Sequence, residues 1–268
     1  MNNKLIFIGG GNMAQAMLSK LVNSNSEIIV IQKNIEKLNK LKQEYPSIHF
    51  APTLDFSTTA DTLIILAVKP QDAQNACLDI AHLITNSTVI SVMTGISTST
   101  LNTWLNNNKI ARVMPNTPAS IGLGVSGIYF TPNINNSQKE VIKNIFNYIG
   151  KTYIFTEEDS INKITATAGS APAYLFYFIE SMIESTINIG FSKDEAIEMV
   201  LQVLKGSLGL IENNPQLSLQ QLRSNITSKK GTTEQAINIF EKYNLKKIVD
   251  EAENAAYHRA QEISKLYQ

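Results

Sequence analysis

The chain has 268 residues, room for one large domain or two ordinary ones, each with its own core. Its 23 basic and 23 acidic residues give a formal net charge of +0, so no global field draws it to nucleic acid or to an anionic membrane, and neither is expected as a partner. One cysteine, Cys77, excludes an internal disulfide framework, the N-terminal apolar run is too short for a signal-peptide core, and the longest later one falls short of a membrane span, so the expected setting is cytoplasmic.

The apolar run Leu5-Ile6-Phe7-Ile8 breaks at Gly9-Gly10-Gly11 and continues from Asn12 and Met13 as a helix-forming stretch. This order predicts strand, tight turn, helix. Gly9, Gly11 and Ala14 fit the G-x-G-x-x-G/A spacing that lets a backbone approach a pyrophosphate and seats it on a helix N-terminus. A turn that merely packs a strand against a helix has the same local pattern.

Further β-branched runs at 28–31, 48–50, 63–68 and 89–92, with helical stretches such as 35–41 between them, predict a parallel sheet covered on both faces. After the second strand stands Gln32-Lys33-Asn34. No carboxylate is present there to bind ribose hydroxyls, and Lys33 is able to face a 2′-phosphate, which favours NADPH over NADH; the alternative is a solvated lysine opening the next helix. Glu36 falls inside that helix. The strand at 63–68 runs into Lys69-Pro70-Gln71, at the sheet edge where open α/β folds bind ligands. The segment 110–114 runs into Pro115-Asn116-Thr117-Pro118, a rigid turn with room for a cis bond, whose Asn116 either faces that edge or forms a local Asx turn.

Strands are again expected at 125–130 and 153–155, around a helix at 138–148. From about residue 159 only helical periodicity remains: one long helix to 188 stopped by Gly190, another opened by the capping box Ser192-Lys193-Asp194-Glu195, then 217–226, 233–243 and 245–266. The expected division is an α/β Rossmann-like domain at 1–157 and an all-α domain at 158–268. Inside the long helix, Gly169-Ser170-Ala171-Pro172-Ala173 predicts a kink, where proline costs about 3 kcal/mol, or a close helix approach. In Ser228-Lys229-Lys230-Gly231-Thr232-Thr233-Glu234-Gln235, Thr232 and Gln235 fit a capping box, so the loop is either an anion site at a helix N-terminus or an ordinary capped helix.

These stretches, in this order over nearly the whole chain, resemble the pyrroline-5-carboxylate reductase family. The motifs are Ile8-Gly9-Gly10-Gly11-Asn12-Met13-Ala14, Leu66-Ala67-Val68-Lys69-Pro70-Gln71, Met114-Pro115-Asn116-Thr117-Pro118, Gly169-Ser170-Ala171-Pro172-Ala173-Tyr174 and the loop 228–233. The resemblance implies a Rossmann domain followed by a helical dimerisation domain, in a homodimer that the family often builds into rings. It implies reduction of 1-pyrroline-5-carboxylate to L-proline by hydride from NADPH or NADH. Gly9, Gly11, Asn12 and Met13 match the family's pyrophosphate turn, with Gln32 and Lys33 following at the second strand. Ala67, Lys69 and Pro70 match its strand-end cofactor contact, and Asn116 a position near the nicotinamide. The substrate carboxylate is expected on backbone N–H groups of the loop 228–233, with Ser228, Gly231, Thr232 and Thr233 as substrate-binding residues. Thr233 matches the threonine beside the ring nitrogen, a candidate proton donor or relay, and Asn225 a supporting polar position.

Two departures stand out. The family usually has Ser-Pro-Gly-Gly where this chain has Ser228-Lys229-Lys230-Gly231, and it often has an asparagine where Leu54-Asp55 stand. A related imine or hydroxyacid reductase and a non-catalytic nucleotide-binding paralogue are the alternatives. The hydroxyacid pattern wants an asparagine about four residues past Lys163, which is absent. None of His49, His82 and His258 has metal-ligand spacing, and no metal is expected.

Overall fold

The computed structural model describes residues 3–267. Eight strands form one sheet: β1 (Lys4–Ile8), β2 (Glu27–Ile31), β3 (His49–Ala51), β4 (Thr62–Leu66), β5 (Thr88–Ser91), β6 (Ile110–Met114), β7 (Gly124–Phe130) and β8 (Gly150–Phe155). Their order is β3-β2-β1-β4-β5-β6-β7-β8. Every neighbouring pair is parallel except β6 with β7. The chain first builds outward from β1 through β2 to β3 and then returns to its other side at β4, so β1 and β4 flank the topological switch point.

The near-continuous apolar strands arise because both sheet faces are covered. Leu5 and Phe7 enter one core cluster, and their neighbours Ile6 and Ile8 enter the other. The first face is covered by α1 (Asn12–Leu21), α2 (Ile35–Glu44) and, beyond α3 (Ala73–Ile80) and α4 (Thr98–Leu105), by α5 (Asn136–Asn147). The helices α3 and α4 cover the second face through Ala73, Cys77, Ile80, Leu101 and Leu105. Cys77 is a buried packing residue there, its thiol pushed up to about 12 by burial.

The helical part comprises α6 (Ser160–Ile164), a π-helical turn at Thr165–Gly169, α7 (Ala171–Ile189), α8 (Lys193–Asn213), α9 (Leu219–Asn225), α10 (Thr232–Lys242) and α11 (Leu245–Leu266). The Ser192–Glu195 capping box forms as expected, and Gly190 stops α7 at φ +120°. The expected helix from 159 to 188 is corrected: the π turn divides it, with the Ser170 N–H bonded to the Thr165 carbonyl at 2.9 Å. Pro172 therefore falls in the first turn of α7, where a missing N–H costs little.

The chain divides into two compact units, residues 1–172 with 254–268 and residues 173–253. In the second, only Ala196 and Val200 are buried among the described residues, while Phe176, Tyr177, Val203, Leu208 and Ile226 are each more than half exposed. No helix among the described residues is long and apolar enough to cross a membrane.

Candidate functional site

At the switch point β1 ends on Ile8, and the turn is held from both sides: the Gly9 N–H donates to the Ile31 carbonyl, and the Ala67 N–H to the Ile8 carbonyl, both at 2.9 Å. Gly9 has φ +100°, and a Cβ there would stand 2.8 Å from the Ala67 carbonyl oxygen. A Cβ on Gly10 would meet Leu41 at 2.6 Å. Glycine is thus required at Gly9 by backbone contact and positive φ, whereas at Gly10 the neighbour is the mobile end of a side chain. Gly11, where a Cβ would make only an ordinary contact with the Ala67 carbonyl oxygen at 3.7 Å, is the N-cap of α1, where no side chain caps the helix. Asn12 and Met13 form the first turn, so its backbone N–H groups face outward at the positive helix end. An unobstructed glycine cradle under an uncapped helix N-terminus fits a dinucleotide diphosphate.

A cleft of about 660 Å³ extends from Gly9 toward the end of β2. Among the expected cofactor residues it brings together Gly9, Gln32 and Lys33. Gln32 accepts the Asn34 N–H at 3.1 Å, and Asn34 caps α2 by accepting the Lys37 N–H at 2.9 Å. Lys33 is neither free nor simply solvated: its Nζ is 2.6 Å from Asp79 Oδ2. Thr53, Asn75 and Asp79 also line the cleft and were missed by the sequence reading. Asn75 and Asp79 lie four residues apart on one face of α3, a short helix whose spacing carried the signal. Leu54, the departure from the family asparagine, is buried in the cleft wall.

The strand β4 ends at Leu66, earlier than the expected 68, so Ala67 and Val68 form the crossing beside the glycine turn. Lys69 is exposed and opens a 3-10 turn at Pro70–Asp72 with its side chain making no cap. Lys69, Pro70, Asn12 and Met13 sit outside the enclosed part of the cleft.

Asn116 is 6% exposed and committed at both ends of its amide: Nδ2 donates to the Ala168 carbonyl at 3.1 Å, and Oδ1 accepts the Val125 N–H at 2.8 Å. It thereby ties the turn after β6 to the π turn and to β7. The local Asx turn did not form, and no cis bond occurs among the described residues. Four residues earlier, within β6, buried Arg112 donates to Glu158 at 3.1 Å and to Asn162 at 2.8 Å. Burial pulls the Arg112 guanidinium down, against the restoring charge of Glu158. Next to it, burial raises the Asp159 carboxyl, but hydrogen bonds from Tyr257, Asn162 and Gln261 and the charge of Lys163 outweigh this and leave it lowered.

In the second unit α9 ends at Asn225, and the loop turns through Lys230 at φ +62° to Gly231, the N-cap of α10. The expected Thr232 and Gln235 capping box is corrected. Gly231 supplies no capping side chain, and Glu234 reaches back instead to accept the Lys230 N–H at 2.7 Å. The Gly231 N–H donates to the Ser228 carbonyl at 3.0 Å, and a Cβ on Gly231 would stand 2.4 Å from the Ser228 hydroxyl. Ser228, Thr232 and Thr233 thus gather at one helix start, and the Thr233 hydroxyl makes no hydrogen bond among the described residues. Groups of His, Cys, Asp or Glu able to hold a metal are absent among the described residues.

Both halves of the chain are similar to known proteins. Residues 158–263 match the family model for pyrroline-5-carboxylate reductase dimerisation, and residues 4–95 that for NADP oxidoreductase, coenzyme F420-dependent. The chain is 35% identical over 271 residues to a pyrroline-5-carboxylate reductase of Vibrio alginolyticus, with 99% of each covered. Among solved structures it is similar to a pyrroline-5-carboxylate reductase from Coxiella burnetii, with 31% identity, a TM-score of 0.86 and 98% and 99% of the two chains covered. The Plasmodium falciparum pyrroline carboxylate reductase, solved with NADP bound, is 26% identical with a TM-score of 0.85 and 98% of each chain covered.

Proposed function

The chain belongs to the pyrroline-5-carboxylate reductase family, and from that premise we propose how its residues divide the reduction of 1-pyrroline-5-carboxylate to L-proline. The observation that supports this reading most is the glycine turn at the switch point, open to a diphosphate, in a chain similar to these reductases over its full length. The nicotinamide cofactor, when bound, supplies the hydride that reduces the imine carbon.

Gly9, Gly11, Asn12 and Met13 hold the diphosphate on backbone N–H groups at the start of α1. Gln32 and Lys33 face the adenosine ribose, and the preferred cofactor is NADPH because the end of β2 carries a cation and no carboxylate. Ala67, Lys69 and Pro70 bound the cofactor at the end of β4. Asn116 acts by position, fixing the turn after β6 through its two backbone partners.

The loop 228–233 receives the substrate carboxylate. Glu234 takes the Lys230 N–H and Ser228 takes that of Gly231, so the Thr232 and Thr233 N–H groups remain for the anion, aided by the positive end of α10. Lys229 and Lys230 add charge where the family has proline and glycine. The Thr233 hydroxyl, free of other partners, donates to the ring nitrogen and relays its proton. Asn225, at the end of α9, and Ser228 complete the polar surface. The working form is a homodimer, with rings of dimers as the larger assembly and the cytoplasm as its setting.

Purified protein given 1-pyrroline-5-carboxylate and NADPH should form proline with matching loss of NADPH absorbance, and more efficiently than with NADH. Cofactor binding with no proline formed would withdraw the substrate assignment and leave the fold standing.

A further inference from the structure

The charged groups lining the cleft are one cation and two carboxylates: Lys33 just past β2, Asp79 on α3 and Asp72 just before α3. Lys33 Nζ lies 2.6 Å from Asp79 Oδ2, a contact between residues 46 apart in sequence. Their side chains are 67% and 56% exposed, so the pair adds little to folding. Its position has a chemical consequence instead. The one cation lining the cleft among the described residues already has a carboxylate partner, and the lining charges sum to minus one.

Resting on the reading of this cleft as the cofactor site, we propose that Asp79 is a specificity-determining residue that competes with the 2′-phosphate of NADPH for Lys33. NADH enters with the ion pair intact. NADPH requires Lys33 to turn from Asp79 to the phosphate, which leaves the Asp79 carboxylate unpaired beside a dianion. Both effects act only on the phosphorylated cofactor, so Asp79 holds the discrimination between NADPH and NADH below what Lys33 alone would give.

Titration of the full chain with NADH and with NADPH without substrate, followed by the fluorescence of the reduced nicotinamide, reads this directly. Asp79→Asn preserves size at an exposed position, and it should tighten NADPH about five-fold while moving NADH less than about two-fold. In a Lys33→Gln background the same substitution should tighten NADPH by clearly less than in the wild type, because only the repulsion between the carboxylate and the phosphate is then left to relieve. An Asp79→Asn protein with the wild-type ratio of the two dissociation constants overturns the inference, as does an equal gain in the Lys33→Gln background. If the wild type binds neither nucleotide, the cofactor reading falls and the inference with it; if it binds both and the ratio is unmoved, the inference alone falls.

Discussion

Gly9 has the least freedom of any residue in the turn, with φ +100° and the Ala67 carbonyl where a side chain would begin. In Gly9→Ala, the positive φ costs about 1–2 kcal/mol and the contact must open the turn, so NADPH affinity should fall at least about ten-fold in a binding titration. Asp159 makes a pH prediction. Its folded pKa is lowered, so the stability it contributes is present above its unfolded value of 3.8 and is lost as pH falls through the folded value. Its side chain is 40% exposed, which limits the contribution to about 1 kcal/mol. Asp159→Asn should therefore lower the melting temperature at pH 7, with the difference from wild type shrinking as pH falls below 3.8; a constant difference would contradict the assignment. Glycines required by backbone geometry were legible as a motif. Partnerships across long separations, such as Lys33 with Asp79 or Arg112 with Glu158, were not, because no local spacing encodes them.

At the scale of elements, the strands were legible because burial on both faces makes each a continuous apolar run, and 110–114 was bounded correctly. The π turn was legible only as a disturbance around Gly169 and Pro172, since helical periodicity survives one inserted residue. The start of α10 was misread for a physical reason: two threonines offer a cap, but the N-cap is Gly231 and the back-reaching group is Glu234. That arrangement yields a test. In Gly231→Ala the new methyl meets the Ser228 hydroxyl and carbonyl at 2.4 and 3.0 Å, so the loop must shift. The KM for 1-pyrroline-5-carboxylate should rise by about ten-fold, and NADPH binding should hold to within about two-fold.

For the whole molecule, the second unit decides the behaviour. Phe176, Tyr177, Val203 and Leu208 are exposed on helices that bury almost nothing within the unit, and residues 158–263 match a dimerisation family. Such surfaces belong in an interface. Light scattering should give at least twice 29.6 kDa at micromolar concentration, with a melting temperature that rises with protein concentration; a stable monomer would contradict this. Helical periodicity made this half legible as helices, but which faces meet a second copy depends on packing outside one chain.

The most direct measurement compares Thr233→Ala with wild type in 1-pyrroline-5-carboxylate turnover and in NADPH binding. If the loop holds the substrate and Thr233 relays the proton, kcat should fall by about 10²-fold or more while the NADPH dissociation constant stays within about two-fold. Full turnover in the variant would contradict the division of the reaction between the cofactor cleft and the loop.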